Sequence, residues 1–275
     1  MSTEGTLPPI MDQPQYNPKD FDQSTFDTSP TQRFVETEWG RELIFTEESA
    51  PYQGKELQIR GEQHLELHTS DRFRLFYFRE GEVAFEIEDV DGLIHTQVAK
   101  KNVGYRIQPG QRFGIKTSSD SRILEAYTSE AYQGEVDKNN FEVEPYLRKI
   151  DKPWGYEYHL AHPDDPLMAK ILHIDEDKRL SEQVHDEKEE TYFVENGNGQ
   201  VVWTDNTGTS ITTKLTHEFG WRTHVGQPHR LGGKEGGVDI FEVSTPESGN
   251  TWRTADDYGR PDETPQQREI EREGM

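Results

Sequence analysis

This chain contains an internal repeat, which limits the folds available to it. Four short segments recur in register with offsets of 115 to 117 residues: 39–42 with 154–157, 55–59 with 170–174, 110–113 with 226–229, and 123–125 with 240–242. Self-similarity at a fixed offset indicates that one structural unit has been duplicated. The sequence therefore predicts two copies of a unit of about 115 residues, with the boundary near residues 146–151.

Each copy has the pattern of a series of short strands. Apolar and polar residues alternate over residues 83–88 and more weakly over 211–215, while short apolar runs occupy 122–127 and 238–243. Turn signals such as Asp91-Gly92 and Pro109-Gly110 recur at short intervals. This pattern is typical of an all-β protein, and each unit can close its own sheet edges as an antiparallel β-barrel of the jelly-roll type.

Two polar ends flank the predicted barrels. Residues 1–33 are rich in Pro, Asp, Gln, Ser and Thr with little periodicity, which predicts an extended or disordered arm. The first barrel is expected over residues 34–148 and the second over residues 149–261. Residues 262–275 are a polar, acidic tail that forms at most a short exposed helix.

The charge of the chain restricts its partners. It carries 53 Asp and Glu against 30 Lys and Arg, a formal net charge of −23. Nucleic acids and anionic membrane surfaces would repel such a chain, so neither is expected as a partner. No segment approaches the roughly 18 apolar residues of a spanning helix, and the N-terminus lacks a signal-peptide pattern, so we expect a cytoplasmic protein. A diffuse acid excess with few lysines is also typical of proteins from salt-rich cytoplasms.

The second copy carries a group of candidate metal ligands. The chain has no cysteine, so any metal must be bound by His, carboxylate or amide groups. Residues two apart on a strand share a face, so Gln183 and His185 can converge, with Glu190 five residues further on. His229 follows a Val-Gly-Gln-Pro turn that opens the next inward strand. Two imidazoles, a carboxylate and an amide oxygen suit Zn, Fe, Mn or Ni and leave room for water or substrate.

The first copy lacks this ligand set. Alignment on Lys55 gives the following pairs: His68 with Gln183, Ser70 with His185, Arg74 or Leu75 near Glu190, and Phe113 with His229. Because a single coordinating side chain remains, we interpret this barrel as structural, or as a dimerisation and lid element. One divalent metal ion per chain is expected, with zinc preferred and Mn, Fe, Co or Ni as alternatives.

At these residues the chain resembles the cupin superfamily. Its first motif, His-x-His-x4-Glu followed by Gly, is matched by Gln183, His185, Glu190 and Gly197, with Gln in place of the first His. A familiar variant of the second motif, Pro-x-Gly-x2-His, is matched at residues 225–229. More narrowly, about 110 residues are similar to the cupin-type mannose-6-phosphate isomerases, at 152–155, 170–172, 180–185, 229–231, 242–247, 253 and 256–260. The resemblance implies that Gln183, His185, Glu190 and His229 are the metal ligands.

Three positions depart from the isomerase motif Gln-x-His-x-x-Arg-x-Glu-His-Trp. This chain has Lys188 for the Arg, Thr191 for the His and Tyr192 for the Trp. A lysine offers a point charge where an arginine offers a forked contact to phosphate or sugar oxygens. The resemblance therefore supports the assignment of the metal ligands more strongly than it supports phosphomannose as the substrate.

The leading functional hypothesis is aldose–ketose isomerisation of a sugar or sugar phosphate. A divalent metal can stabilise the charge that develops when a proton leaves the carbon beside the carbonyl, and a general base must move that proton. Candidate bases are Glu187, Lys170 and His173. Lys188, Arg230 and Arg253 are candidates for binding phosphate or hydroxyl groups. Arg253 is also a candidate catalytic residue.

Two other functional classes remain open at this point. A non-catalytic sugar-binding or sensor cupin is favoured by the changes at Lys188 and Thr191 and opposed by the intact ligand set. A metal-dependent oxygenase is the third hypothesis, because one fold supports several chemistries. A homodimer is a further possibility that the sequence leaves open.

Overall fold

The computed structural model describes residues 15–27, 29–217 and 219–273 of the chain. The strands of the first copy are β1 (Arg33–Thr37), β2 (Gly40–Ile44), β3 (Tyr52–Ile59), β4 (Gln63–Thr69), β5 (Arg74–Glu80), β6 (Val83–Glu88), β7 (Ile94–Ala99), β8 (Val103–Ile107), β9 (Arg112–Thr117) and β10 (Ser121–Thr128). Those of the second copy are β11 (Arg148–Lys152), β12 (Gly155–His159), β13 (Met168–Ile174), β14 (Glu182–His185), β15 (Glu190–Thr204), β16 (Ser210–Leu215), β17 (Gly220–Thr223), β18 (His229–Ser244) and β19 (Thr251–Ala255). One helix, α1 (Pro265–Glu273), follows, and no described helix has the length and apolar character needed to cross a bilayer.

Each copy forms an antiparallel barrel from two facing groups of strands. In the first, the sheet β1-β2-β3-β10-β5-β8 covers the sheet β4-β9-β6-β7. In the second, β15 and β18 are single long strands that pass through both groups, with register shifts in β15 near Gly197. The predicted all-β fold of two tandem barrels is confirmed.

The duplicated sequence is also duplicated in its strand pairing. Three cross-strand pairs recur at equivalent positions: Lys55↔Glu125 as Lys170↔Glu242, His68↔Phe113 as Gln183↔His229, and Arg74↔Tyr127 as Glu190↔Ser244. The turn contact from the Gly110 amide to the Ser70 carbonyl, 2.7 Å, recurs from Gly226 to His185, also 2.7 Å. Arg74, rather than Leu75, therefore occupies the position of Glu190.

Within residues 15–27, 29–217 and 219–273, three apolar cores stabilise this arrangement. One fills each barrel, and the third lies between the barrels, where the ring of Phe45 stacks on that of Phe193 with 4.4 Å between centroids. Strand β10 serves two of these cores, because Ile123 points into the first barrel and Leu124 into the core between the barrels. Strands buried on both faces carry continuous apolar runs, which explains the runs seen at 122–127 and 238–243.

The segments that precede the two barrels are exchanged between them. The leading arm, residues 15–27 with 29–31, packs on the second barrel, where Thr31 and Gly220 exchange backbone hydrogen bonds of 2.9 Å. The connecting arm, residues 129–147, packs on the first barrel, where the Tyr146 amide donates to Gly104 at 2.9 Å. Phe26 and Phe141 are buried at equivalent places in the two arms, each just after a short 3-10 helix. Residues 1–14 of the predicted arm lie outside the described residues.

The tail is joined to the second barrel. Thr251 and Glu263 exchange backbone hydrogen bonds of 2.9 Å, which adds residue 263 beside β19. Helix α1 then begins with a capping box, in which the Thr264 hydroxyl accepts from the Gln267 amide at 3.2 Å and the Gln267 side chain accepts from the Thr264 amide at 2.8 Å.

Candidate metal centre

Three side chains from three strands of the second barrel converge inside it. His185 ends β14, Glu190 begins β15 and His229 begins β18. The Nε2 atom of His185 lies 3.2 Å from Oε1 of Glu190, and Nε2 of His229 lies 3.4 Å from Oε2. One donor atom from each residue falls within 4.8 Å of the others, and all three residues are buried. This is the only such His and carboxylate group among the described residues.

Both imidazoles are oriented for metal binding by their Nδ1 atoms. Nδ1 of His229 lies 2.8 Å from the carbonyl oxygen of Gln227, which can only accept, so Nδ1 carries the proton and Nε2 offers its lone pair to the centre. Nδ1 of His185 lies 3.0 Å from the Thr251 hydroxyl. Within the described part of the chain neither Nε2 atom has a hydrogen-bond partner. Two buried, unpaired imidazole nitrogens facing a carboxylate fit a divalent metal ion.

Gln183 has the position expected of a fourth ligand. It pairs in register with His229 on one side and with Arg253 on the other, and it lines the cavity that opens beside His185. Its coordination of a metal stays a prediction, whereas the convergence of His185, Glu190 and His229 is a property of the structure.

A neighbouring positive charge keeps Glu190 ionised, and burial favours a neutral His185. Burial raises the pKa of Glu190, but the Lys188 ammonium and the His185 imidazole outweigh burial and hold this pKa well below its usual range. Burial lowers the pKa of His185, which favours the neutral imidazole that metal binding requires. Lys188, predicted to bind substrate, contacts Glu190 and also lies 2.9 Å from Glu242. In this structure it is a buried counter-ion of both carboxylates.

The cavity beside the centre has a volume of about 150 Å³ and is rich in cations. Among the residues that the structure describes, seven lysines and arginines line it together with five glutamates, in a chain whose net charge is −23. The lining cations are Arg148, Lys152, Lys170, Lys188, Arg253, Arg260 and Arg268. The cavity therefore suits a small polar ligand with negative charge.

The predicted functional residues divide into two groups. Lys170 and Arg253 line the cavity, where Lys170 contacts Glu247 and Arg253 contacts Glu263. Glu187 is exposed on the bend after β14 and is not among the residues that line the cavity.

The other two predicted residues also lie away from the cavity lining. Arg230 donates to the Leu180 carbonyl at 2.6 Å and pairs with Asp257 at 2.9 Å. His173 pairs with Asp239 at 2.6 Å. Their ion pairs give Arg230 and His173 a structural role in the barrel wall.

The sequence analysis missed two glutamates near Lys170: Glu242, which is buried, and Glu247, which is partly exposed. Burial raises the pKa of Glu242, and the neighbouring Glu190 charge adds to this effect. Burial also raises the pKa of Glu247, but Lys170 and Lys188 outweigh it and hold this pKa well below its usual range. The signal was present in the repeat, because Glu242 and Lys170 recur as Glu125 and Lys55.

Glu157 at the cavity wall should make stability depend on acid pH. Burial raises its pKa, but Lys170, His159 and Lys152 outweigh burial and lower the pKa from 4.5 to about 2. A carboxyl with a lowered folded-state pKa stabilises the fold above its unfolded pKa, and this stabilisation is lost as pH falls from about 4.5 to about 2. The loss should be about 3 kcal/mol. We expect Glu157→Gln to flatten the profile of unfolding free energy against pH in this range, measured by denaturant titration, and parallel profiles would contradict it.

The equivalent place in the first barrel is filled by protein groups. Arg74, at the position of Glu190, contacts Glu125, and its guanidinium lies 5.8 Å from the ring centroid of Phe113. Phe113, at the position of His229, packs on His68 with 4.3 Å between ring centroids. A fixed cation and an aromatic ring thus replace two of the donors of the second barrel.

Comparisons with known proteins agree with this architecture. An oxalate decarboxylase from Lactobacillus farciminis in complex with formate superposes with a TM-score of 0.62 at 12% sequence identity, covering 80% of this chain and 85% of that chain. An oxalate decarboxylase of Bacillus subtilis, studied for its Mn(II) centres, gives a TM-score of 0.63 at 9% identity, covering 80% and 76%. A third oxalate decarboxylase structure, which addresses substrate binding and reaction specificity, gives 0.63 at 10% identity, covering 88% and 86%.

No family model matches the chain, and no curated protein matches it. At identities this low the superpositions establish the fold and leave the chemistry to the residues of the site. The duplicated pairing, the two antiparallel barrels and the solved neighbours lead to one conclusion. The chain has the two-barrel cupin fold.

Proposed function

We propose that this protein is a metal-dependent enzyme that interconverts the aldose and ketose forms of a sugar or sugar phosphate. One observation carries the proposal: a buried group of two imidazoles and a carboxylate opens onto a small cavity with an excess of cationic side chains. The resemblance to cupin-type isomerases at residues 242–247 and 256–260 supports the reaction class. The Mn(II) centres of a structural neighbour support manganese beside zinc as a candidate metal.

His185, Glu190 and His229 would hold the metal, with Gln183 as the fourth ligand. A divalent ion bound there would polarise a carbonyl and its neighbouring hydroxyl, and so ease loss of the proton from the carbon that bears this hydroxyl. Thr251 and the Gln227 carbonyl keep the two imidazoles turned toward the centre.

The proton would be moved by the pair formed by Lys170 and Glu247. Both residues line the cavity and contact each other. The Glu247 charge raises the pKa of Lys170, although burial lowers it. The ionised Glu247 carboxylate can accept a proton, and the Lys170 ammonium can stabilise or donate to an oxygen that gains charge. Arg253, Arg260 and Arg268, toward the tail, would bind an anionic substituent by forked hydrogen bonds.

The test is turnover of a panel of substrates after metal removal and reloading with Zn, Mn, Co or Fe. Mannose 6-phosphate, fructose 6-phosphate, mannose and oxalate are incubated with each form, and products are followed by NMR. We expect ketose and aldose to interconvert only in the loaded forms, with incorporation of solvent deuterium. Glu247→Gln should lower kcat about 100-fold with little change in metal content. Interconversion in excess chelator would overturn the proposal.

A second candidate function is decarboxylation of a small dicarboxylate. It is favoured by the oxalate decarboxylases among the structural neighbours and by the small cationic cavity. Release of carbon dioxide and formate from oxalate, with no sugar turnover, would replace the isomerase with this activity. Sugar binding without any turnover would instead identify a sensor.

A further inference from the structure

Each barrel contains a buried glutamine at an equivalent position. This glutamine connects its barrel to the arm that precedes the other barrel. Gln111 and Gln227, both fully buried, occupy the turn before β9 and β18 respectively. In each, the side-chain oxygen accepts from a backbone amide three residues earlier at 3.0 Å. The side-chain amide donates to two carbonyls, one on a strand of the same barrel and one on the exchanged arm: Glu88 and Glu142 for Gln111, at 2.7 and 3.0 Å, and Thr204 and Phe26 for Gln227, at 2.9 and 2.8 Å.

In the second barrel this glutamine also contacts a candidate metal ligand. The backbone carbonyl of Gln227 accepts from Nδ1 of His229, while its side chain is held by Phe26 of the leading arm. In addition, the amide of Gly226 donates to the His185 carbonyl at 2.7 Å. The turn thus connects the leading arm to the imidazole of His229 and to the backbone of His185.

Aromatic residues of the leading arm make a second set of contacts near the ligands. Gly226 has a φ of +79°, and a Cβ there would lie 2.1 Å from Cγ of Phe21, so the ring closely covers the turn. The Tyr16 hydroxyl donates to the Gly226 carbonyl at 3.1 Å. Tyr16 and Phe21 also pack on Trp252, with ring centroids 5.8 and 6.1 Å away, and Trp252 adjoins the Thr251 that contacts His185.

We infer that residues 16–27 of the leading arm are a positioning element for the metal centre of the other copy's barrel. They fix the turn that orients His229 and cover the residue beside Thr251, so both imidazoles depend on them. Groups that orient metal ligands typically contribute 10- to 100-fold in metal affinity. The inference rests on the metal centre of the proposed function and requires no particular substrate.

The repeat supplies a matched pair of variants for the test. Phe26→Ala and Phe141→Ala each remove one buried ring at equivalent places in the two arms, and only the first arm reaches a candidate metal centre. We expect Phe26→Ala to weaken Co²⁺ and Mn²⁺ binding about 10-fold or more and to alter the visible absorption of the Co²⁺ form. Phe141→Ala should leave both unchanged while lowering thermal stability of the metal-free protein similarly.

Two further variants keep the test decisive if Phe26→Ala does not fold. Phe21→Ala removes a half-buried ring and should weaken metal binding in the same direction. Deletion of residues 1–27 should do so more strongly, and a synthetic peptide of residues 15–31 should restore affinity. Equal metal affinity in the Phe26, Phe21 and Phe141 variants, with normal binding by the wild type, would overturn this inference alone. Failure of the wild type to bind either metal would overturn the metal centre and the inference together.

Discussion

Replacing His229 with alanine is expected to lower the affinity for a divalent metal about 100-fold or more and to reduce turnover to background. This loss should be at least as large as the 10- to 100-fold loss that is typical when a residue that orients a metal ligand is replaced. His229 supplies one of three donor atoms that lie within 4.8 Å of one another, and its ring is 1% exposed. Removing it leaves one imidazole and one carboxylate of this group, with the predicted amide ligand Gln183, so a single imidazole nitrogen remains to bind the metal. Metal content after dialysis and competition with a chelator measure the effect.

The control for this variant is His64→Ala, because His64 is partly exposed on the first barrel and lies outside the site. It should retain wild-type metal content and activity. Full metal content in His229→Ala, or full activity of the wild type in excess chelator, would contradict the metal-dependent function.

The protein is expected to bind about one metal ion per chain, in the second barrel. The Arg74 guanidinium stands where Glu190 stands in the other copy, and it pairs with the buried Glu125. A cation at that position repels a metal ion, and the Phe113 ring supplies no donor where His229 supplies one. Anomalous scattering at the metal edge should therefore show one peak per chain, beside His185.

The same measurement can contradict the assignment of the first barrel as metal-free. A content near two ions per chain, or a peak beside His68, would show that the first barrel builds a site from other residues. In His229→Ala the content should fall from about one to near zero, whereas a second site would leave about one ion bound.

Much of the architecture followed from the repeat. The anchors at residues 55–59 and 170–174 lie in β3 and β13, which pair with equivalent strands, so the alignment of the sequence also holds in space. The convergence of His185, Glu190 and His229 followed from strand spacing and from the turn before His229. These features were predictable because alternation along a strand determines which side chains share a face.

The roles of several charged residues could not be predicted in this way. Glu187 and Lys188 are adjacent in the sequence, yet the bend after β14 exposes the first and buries the second between carboxylates. The alternation of side chains along a strand does not extend through a bend. The sequence therefore does not predict which of the two side chains points into the barrel. Lys170 lies on the cavity-facing side of β13, but its partner Glu247 comes from a loop 77 positions away.

The exchange of the arms was missed for a different reason. Residues 21–26 and 136–141 share only an Asp and a Phe when they are aligned, which is too little similarity to extend the repeat into the arms. Even a recognised repeat would not have shown which barrel receives which arm, because both arms precede a barrel at the same distance. That choice depends on tertiary packing against the turns at Gln111 and Gln227.

The exchanged arms also set an order for the folding of the chain as it is synthesised. Gln111 and the connecting-arm residue that it contacts are 31 positions apart, whereas Gln227 and Phe26 are 201 positions apart. The first barrel can therefore be completed soon after its last strand leaves the ribosome. At usual rates of synthesis, the second barrel, on which the leading arm packs, is completed about 10 to 40 s after the arm itself has been made. The contacts between the leading arm and the candidate metal centre can consequently form only after the second barrel has been synthesised, although the arm is made first.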